Sequence, residues 1–287
     1  MEAVSIFVIL ICTVIATVVD IKIKEVPNFI SYFLIIFGLG TNLLFSLLTQ
    51  SIEPFFWSVI GAGVFYGFGA ALYYTGVWGG GDAKLLTGFG AVLANFTNIV
   101  AWPFLLTIIF NTLLFGAIFG VIGSLGLAMK HKPAFVDESR ELLKKFRYAI
   151  YILWGTLIIV VWFIYSSFAV TTSALIWSVA VLMFYLIIML KAVENVCMYR
   201  HINPSKLVEG DWLAEDVKIN NKLIYKPAKE GISREDIATL IKFEKQNKLK
   251  TVSVKDGLPY VPAFLAALIA SLLGYDLMFL IFSSIVP

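Results

Sequence analysis

The sequence of 287 residues is 60% hydrophobic and 15% aromatic, and 14% of its residues are charged. Soluble domains carry about 25% charged and about 45–50% apolar residues, so this composition excludes an ordinary soluble protein and a disordered one. The formal net charge of +3 is small, and the placement of the charges along the chain is therefore more informative than their sum.

Long uncharged apolar runs predict a polytopic α-helical membrane protein. A helix needs about 20 mostly apolar residues to cross a bilayer. Eight runs approach or exceed that length, near residues 3–19, 29–49, 54–75, 84–97, 99–129, 148–168, 171–190 and 260–286. The first run has no basic residue before Lys22 and no credible cleavage context, so it is interpreted as a retained helix and not a signal peptide. The fourth run is short, and seven helices with a re-entrant segment at 84–97 is the alternative.

The positions of the basic residues predict the orientation of these helices. With eight spans, all 22 Lys and Arg residues fall in the loops 20–28, 76–84, 130–147 and 191–259, which lie on one side of the membrane. Cytoplasmic loops carry the excess of Lys and Arg. The sequence therefore predicts a multi-pass protein of the cell membrane with both termini outside and these four loops in the cytoplasm.

The same layout predicts four parts of the chain. Residues 1–129 form a membrane core of five helices, and 130–190 form a basic cytoplasmic loop and an additional helical hairpin. Residues 191–259 form a small cytoplasmic α+β domain, and 260–287 form the final transmembrane helix. The basic loop is expected to contact anionic membrane lipid.

Local patterns define elements within the α+β domain. Asn220-Asn221 is typical of a hairpin turn between two short strands, and Ser233 followed by Glu235 and Asp236 predicts a helix that begins there and continues to about Gln246. Thr251–Val254 is a further candidate strand. The charges of this domain are mixed in sign, so a nucleic-acid partner is not expected.

Acidic residues in or beside apolar spans are candidate functional groups, because their desolvation is costly. Glu53 lies in a predicted outer loop, where a solvated role is the better interpretation. Asp276 lies in the last predicted helix, where it either faces water in the outer leaflet or forms part of a polar seam between helices. Asp20 and Asp82 differ from these two, because both lie at predicted cytoplasmic ends of helices and thus at similar depth.

Three glycines, Gly79, Gly80 and Gly81, precede Asp82 and permit backbone torsions and close approaches that a Cβ would forbid. They are expected to allow Asp82 to pack against another helix. Two adjacent carboxyl groups share a proton, so that one can accept a proton from water while the other polarises a carbonyl, which is the chemistry of amide hydrolysis without a metal. The alternative is structural: Asp82 caps the fourth helix, and Asp20 pairs with a nearby lysine.

Other catalytic machinery is not indicated by the sequence. Cys12 and Cys197 form no CxxC motif, and His131 and His201 have no metal-ligand spacing, so no metal or cofactor is expected. The glycine pairs Gly63/Gly67 and Gly116/Gly120 are interpreted as helix-packing contacts.

The motif Gly79-Gly80-Gly81-Asp82, with Lys84 two residues later, resembles the GxGD signature of the type IV prepilin peptidase family, which includes the archaeal preflagellin peptidases. Asp20 followed by Pro27-Asn28 is similar to the first-aspartate segment of that family. Three segments of the C-terminal third also resemble its archaeal branch, namely Glu209-Gly210-Asp211, Gly231-Ile232-Ser233 and Gly257–Leu265. Presenilin-type proteases share GxGD, but their Pro-Ala-Leu motif has only a near match here in Pro262-Ala263-Phe264.

The resemblance implies a membrane aspartic endopeptidase that removes a short basic leader from pilin-like or archaeal flagellin precursors at the cytoplasmic face. It implies Asp20 and Asp82 as the catalytic pair, Gly79 and Gly81 as the motif turn, and Lys84, Pro27 and Asn28 as supporting residues. Bacterial members often have paired CxxC motifs and N-methylate the product, so the lack of CxxC predicts peptidase activity without methyl transfer. The hairpin of residues 131–190 is additional to the compact archaeal enzymes, which leaves pilin-like and flagellin-type substrates equally open.

Two other function classes remain at this point. A proton-coupled transporter would use Asp20 and Asp82 as coupling sites, but such groups usually lie near the bilayer midplane within inverted repeats. A pilin-assembly scaffold would recognise precursors without cutting them.

Overall fold

The computed structural model describes residues 2–96, 103–166, 170–219, 222–228, 231–255, 257–277, 279–280 and 283. They form two compact units, one made of Met1–Gly120 with Gly257–Pro287 and the other of Val121–Asp256. The predicted division into four parts stays a prediction.

Helices dominate both units. They are α1 (Glu2–Ile23), α2 (Asn28–Thr49), α3 (Glu53–Tyr74), α4 (Gly80–Leu93), α5 (Phe104–Lys130), α6 (Lys132–Lys145), α7 (Arg147–Ser166), α8 (Val170–Cys197), α9 (Arg234–Lys245) and α10 (Val261–Leu272). The strands are β1 (Tyr199–Ile202), β2 (Val217–Ile219), β3 (Lys222–Tyr225) and β4 (Val252–Lys255).

A helix lies in each of the eight predicted apolar runs, but the predicted count of eight spans is not confirmed. Among the described residues, five helices are long and apolar enough to cross a membrane: α1, α2, α3, α5 and Trp177–Cys197 of α8. The chain is therefore a polytopic membrane protein. Within the described residues, the predicted run 260–286 is not one continuous helix, because α10 ends at Leu272 and Gly274 takes a φ of +82°. A positive φ is left-handed backbone, which interrupts an α-helix.

The centre of the first unit is α4, whose residues Leu85 to Leu93 are all buried. It packs against α2 and α3 through contacts that leave no room for a side chain. A Cβ on Gly38 of α2 would lie 2.6 Å from the backbone of Ala91, and one on Gly61 of α3 would lie 2.5 Å from the carbonyl oxygen of Gly90. Small residues allow helices to approach this closely, so α4 sits deeply between its neighbours.

The glycines that make these contacts differ from the predicted ones. Gly61 and Gly69 of α3 touch α4, whereas a Cβ on Gly63 or Gly67 would meet no described atom within 4 Å. The prediction for Gly63/Gly67 was therefore wrong. It failed because spacing alone does not indicate which face of a uniformly apolar helix meets its neighbour.

Buried polar groups fix the segment after α10 to α5. The Asp276 carboxylate, 2% exposed, accepts hydrogen bonds from the Thr107 hydroxyl and the Phe279 amide, both at 3.0 Å. The Asn111 side-chain amide donates to the Ser271 hydroxyl and the Tyr275 carbonyl, both at 2.8 Å. These bonds favour the interpretation of Asp276 as part of a polar seam between helices.

The second unit contains the helical hairpin and the small domain. The segment 130–147, predicted as a loop, contains α6, which packs on α8, as does α7. The two strands of the predicted hairpin are present as antiparallel β2 and β3, whereas its predicted turn at Asn220-Asn221 lies outside the described residues. Strand β1 pairs with β4. The Ser233 hydroxyl caps α9 by accepting the Asp236 amide at 3.2 Å. Apolar side chains from the strands and α9, including Val217, Leu240 and Val254, form the domain core.

Candidate active site

Asp82 lies in the first turn of α4, directly after the glycine-rich segment. Its Oδ2 accepts a hydrogen bond of 3.1 Å from the backbone amide of Gly79, so the carboxylate caps the helix as the structural alternative predicts. Trp78, which precedes this turn, is 2% exposed and belongs to the apolar core. The glycine-rich segment before Asp82 therefore lies between the buried Trp78 side chain and helix α4.

Close approach, and not left-handed backbone, explains Gly81, one of the three glycines before Asp82. A Cβ on Gly81 would lie 2.8 Å from the Cβ of Val26, in the link between α1 and α2. At Gly80 and Gly79 the nearest atoms would be 3.6 Å and 3.4 Å away, which are ordinary contacts. These three glycines are not among the described residues with positive φ. Gly81 therefore holds Asp82 beside the segment that follows Asp20.

Asp20 lies near the end of α1 and is 5% exposed. Its Oδ2 accepts a hydrogen bond of 2.9 Å from the backbone amide of Val261, and the amide of Tyr260 is a second donor. Both amides belong to the start of α10, where backbone N–H groups lack partners within the helix and attract negative charge. The N-terminus of α10 thus orients the carboxylate of Asp20.

The two aspartates interact electrostatically. Asp82 belongs to a helix of 14 residues that is not among the five membrane-spanning candidates. Burial, together with the nearby charge of Asp20, raises the pKa of Asp82 from 3.8 to about 7, against a smaller opposing effect of the Gly79 amide. The structure therefore brings together the two acidic residues that the sequence singled out, although 62 positions separate them.

The predicted supporting residues lie at the same junction. Pro27 is the N-cap of α2, and Asn28 is the first residue of that helix. The Lys84 ammonium donates a hydrogen bond of 2.8 Å to the Asn28 side-chain oxygen and lies 5.7 Å from the centre of the Tyr32 ring. Lys84 therefore joins α4 to the start of α2.

Sequence reasoning missed an aromatic cluster that joins the segment before Asp82 to the start of α10. The Tyr260 ring centre is 5.1 Å from that of Trp78 and 5.5 Å from that of Phe264, and Trp78 and Phe264 are 5.3 Å apart. Burial raises the pKa of Tyr260 to about 12, and the charge of Asp82 adds to this effect. Tyr260 therefore stays protonated and lies near Asp82. A signal for it was present, because the segment Gly257–Leu265 formed part of the family resemblance.

The fold and the candidate site together define the class of protein. The chain is a helical membrane protein with two interacting carboxyl groups, one carried by α1 and one by α4. The carboxylate on α1 also contacts the start of a third helix. Such a pair can hold one proton, which permits general acid and general base catalysis by the same site.

Comparison with known proteins shows which family one part of the chain resembles. Residues 7–121, which contain both aspartates, match the type IV leader peptidase family. A preflagellin peptidase of Methanocaldococcus jannaschii is 30% identical over 89 residues, which cover 31% of this chain and 38% of that relative. No solved structure matches. The predicted resemblance to the prepilin and preflagellin peptidases is confirmed for residues 7–121, and the matched part spans about two fifths of the length of that relative.

Proposed function

We propose that the chain is a membrane aspartic endopeptidase that removes a short basic leader from pilin-like or archaeal flagellin precursors. The single observation that supports this best is the electrostatic interaction of Asp20 and Asp82 inside the segment that matches the leader peptidase family. No N-methyltransferase activity is expected.

In this mechanism the pair holds one proton at neutral pH, because two neighbouring carboxyl groups do not both ionise easily. Protonated Asp82 donates a hydrogen bond to the carbonyl oxygen of the scissile peptide. Ionised Asp20, oriented by the α10 amides, accepts a proton from the attacking water. Collapse of the tetrahedral intermediate breaks the C–N bond, and the leaving amine takes up the proton.

The predicted orientation is consistent with this substrate. The loops that flank the two aspartates carry Lys22, Lys24 and Lys84 and are predicted to be cytoplasmic. A leader peptide that precedes the hydrophobic helix of a precursor lies on the same side. Its positive charge is attracted to a site that carries one ionised carboxylate.

The test is cleavage of archaeal precursors in membranes. Wild type, Asp20→Asn and Asp82→Asn are expressed at matched levels with a pilin-like precursor and, in parallel, a flagellin-type precursor. We expect wild type to shorten a precursor, and both variants to lose activity by at least about 10³-fold, the scale of loss when a catalytic group is removed. The precursor cut faster identifies the substrate class.

Two controls make the result decisive. Glu53→Gln changes an acidic residue at the start of α3, in the predicted outer loop, and should leave cleavage unchanged. Mass spectrometry of the new N-terminus should show no added methyl group. Cleavage that survives in Asp20→Asn or Asp82→Asn would overturn the aspartic mechanism, and binding of precursors without cleavage would favour the scaffold.

A further inference from the structure

We propose that Tyr260 is a positioning residue for Asp20, and that Gly116 of α5 provides the space in which its phenol ring sits. This inference rests on the proposed function, because its readout is the cleavage reaction. Neither residue is among those that the GxGD motif or the first-aspartate segment singles out.

The first step of the argument is the position of Tyr260 in the chain. It is the N-cap of α10, and its own amide and that of Val261 donate to the Asp20 carboxylate. Any rotation or shift of the Tyr260 backbone therefore moves both donors. Displacements of about 1 Å at a reacting group can reduce rates by about 10²-fold.

The second step is that side-chain contacts of Tyr260 fix this backbone. Its hydroxyl donates a hydrogen bond of 3.2 Å to the carbonyl oxygen of Thr112 in α5. Its ring packs against Trp78, four residues before Asp82, and against Phe264 in the next turn of α10. One side chain thus connects the amides that hold Asp20 to the turn that carries Asp82.

The third step concerns the space that the phenol occupies. A Cβ on Gly116 would collide with the Tyr260 hydroxyl and would lie 2.5 Å from Cζ and 2.6 Å from Cε2 of the ring. The ring also contacts Trp78 and Phe264, so we expect that a displacement of the phenol by a Cβ at position 116 is passed on to the start of α10. Gly116 is therefore the residue of α5 whose lack of a side chain allows this arrangement.

Gly120 is the matched control. It lies one turn further along α5, and a Cβ there would meet no described atom within 4 Å. Gly116→Ala and Gly120→Ala change helix propensity equally, by about 1 kcal/mol in favour of the helix. We expect Gly116→Ala to lower kcat about tenfold or more with KM little changed. Gly120→Ala should match the wild type.

A double-mutant cycle shows whether the effect passes through Tyr260. Tyr260→Leu removes the outer ring atoms that an alanine at position 116 would strike, and should itself lower kcat about tenfold. Adding Gly116→Ala to Tyr260→Leu should then cost less than about twofold more, because the colliding atoms are gone. Tyr260→Phe keeps the ring and should keep kcat within about fivefold of the wild type, since one hydrogen bond contributes about 1 kcal/mol.

The outcomes separate this inference from the proposed function. Suppose that the wild type cuts a precursor and Asp20→Asn does not. If Gly116→Ala and Gly120→Ala then have equal kcat values, the positioning role is contradicted while the proposed peptidase function is supported. The positioning role would also be contradicted if the kcat losses of Gly116→Ala and Tyr260→Leu multiply in the double variant. If Gly116→Ala does not accumulate as folded protein, the kcat values of Tyr260→Leu and Tyr260→Phe are compared instead. Equal values would contradict the positioning role of Tyr260. Failure of wild type on both precursors contradicts the proposed function itself.

Discussion

The carboxylate of Asp20 accepts a hydrogen bond of 2.9 Å from the backbone amide of Val261, although 241 positions separate the two residues. The bond connects the first helix of the chain to the last helix described. The segment that matches the peptidase family ends at residue 121, so the environment of Asp20 depends on a helix outside the matched segment. The predictions below concern how α2, α4, α5 and α10 position the two aspartates.

Gly81→Ala should lower cleavage about tenfold or more, because a Cβ at this position would lie 2.8 Å from Val26 and move Asp82 away from the α1–α2 link. Gly80→Ala is the matched control, since it is also in the first turn of α4 and its Cβ would be 3.6 Å from the nearest atom. Initial rates on one precursor compare the two. Equal rates would show that the close approach at Gly81 has no role in activity.

The raised pKa of Asp82 predicts a pH dependence of activity. Because this pKa is about 7, the proton that the mechanism requires is lost as the pH rises through neutrality. Cleavage at saturating substrate should therefore decline above about pH 7, following one ionisation. A rate that stays constant to about pH 9 would contradict the assignment of Asp82 as the proton donor.

The same shift predicts a pH dependence of stability. A folded-state pKa raised from 3.8 to about 7 contributes stability that is full below 3.8 and is lost as the pH rises through about 7. Asp82→Asn cannot ionise, so its melting temperature should exceed that of the wild type at about pH 8, and the difference should shrink towards about pH 4. Thermal unfolding in detergent measures both. A difference independent of pH would contradict the prediction.

Lys84→Met should lower kcat/KM several-fold while the melting temperature changes little. The hydrogen bond from Lys84 to Asn28 is exposed and contributes about 1 kcal/mol to stability, but it joins the helix of Asp82 to the start of α2. Lys22→Met removes a lysine of the last turn of α1 and controls for charge. The double variant Asn28→Ala/Lys84→Met should lose no more kcat/KM than the more impaired of the two single variants. Losses that multiply would contradict a role of the hydrogen bond between Lys84 and Asn28.

Asn111→Leu should destabilise the first unit by about 2–3 kcal/mol, because it leaves buried partners without their hydrogen bonds. Asn111 is fully buried and donates to Ser271 and Tyr275 at 2.8 Å. Leu113→Ala, at a position 39% exposed on the same helix, is the control. Thermal unfolding measures both, and a loss no larger for Asn111→Leu than for the control would contradict the seam's role.

The sequence singled out the acidic residues of the candidate site because ionisable groups are conspicuous within apolar runs. Asp20 and Asp82 stood out by their depth, and the GxGD motif indicated the family. Uniformly apolar helices, in contrast, carry little information about which face contacts a neighbour, and for this reason Gly63 and Gly67 were favoured over Gly61 and Gly69. The break at Gly274 was missed because a single glycine within an apolar run does not indicate its φ.

By itself, the sequence indicated the membrane class, the resemblance to the leader peptidase family and the two candidate aspartates, because these depend on composition and on short motifs. The tertiary structure decided which groups surround those aspartates. That Gly81 meets Val26, that Gly116 accommodates Tyr260 and that α10 donates its amides to Asp20 are contacts between segments remote in sequence. No local pattern specifies such contacts, because they arise only when the helices pack against one another.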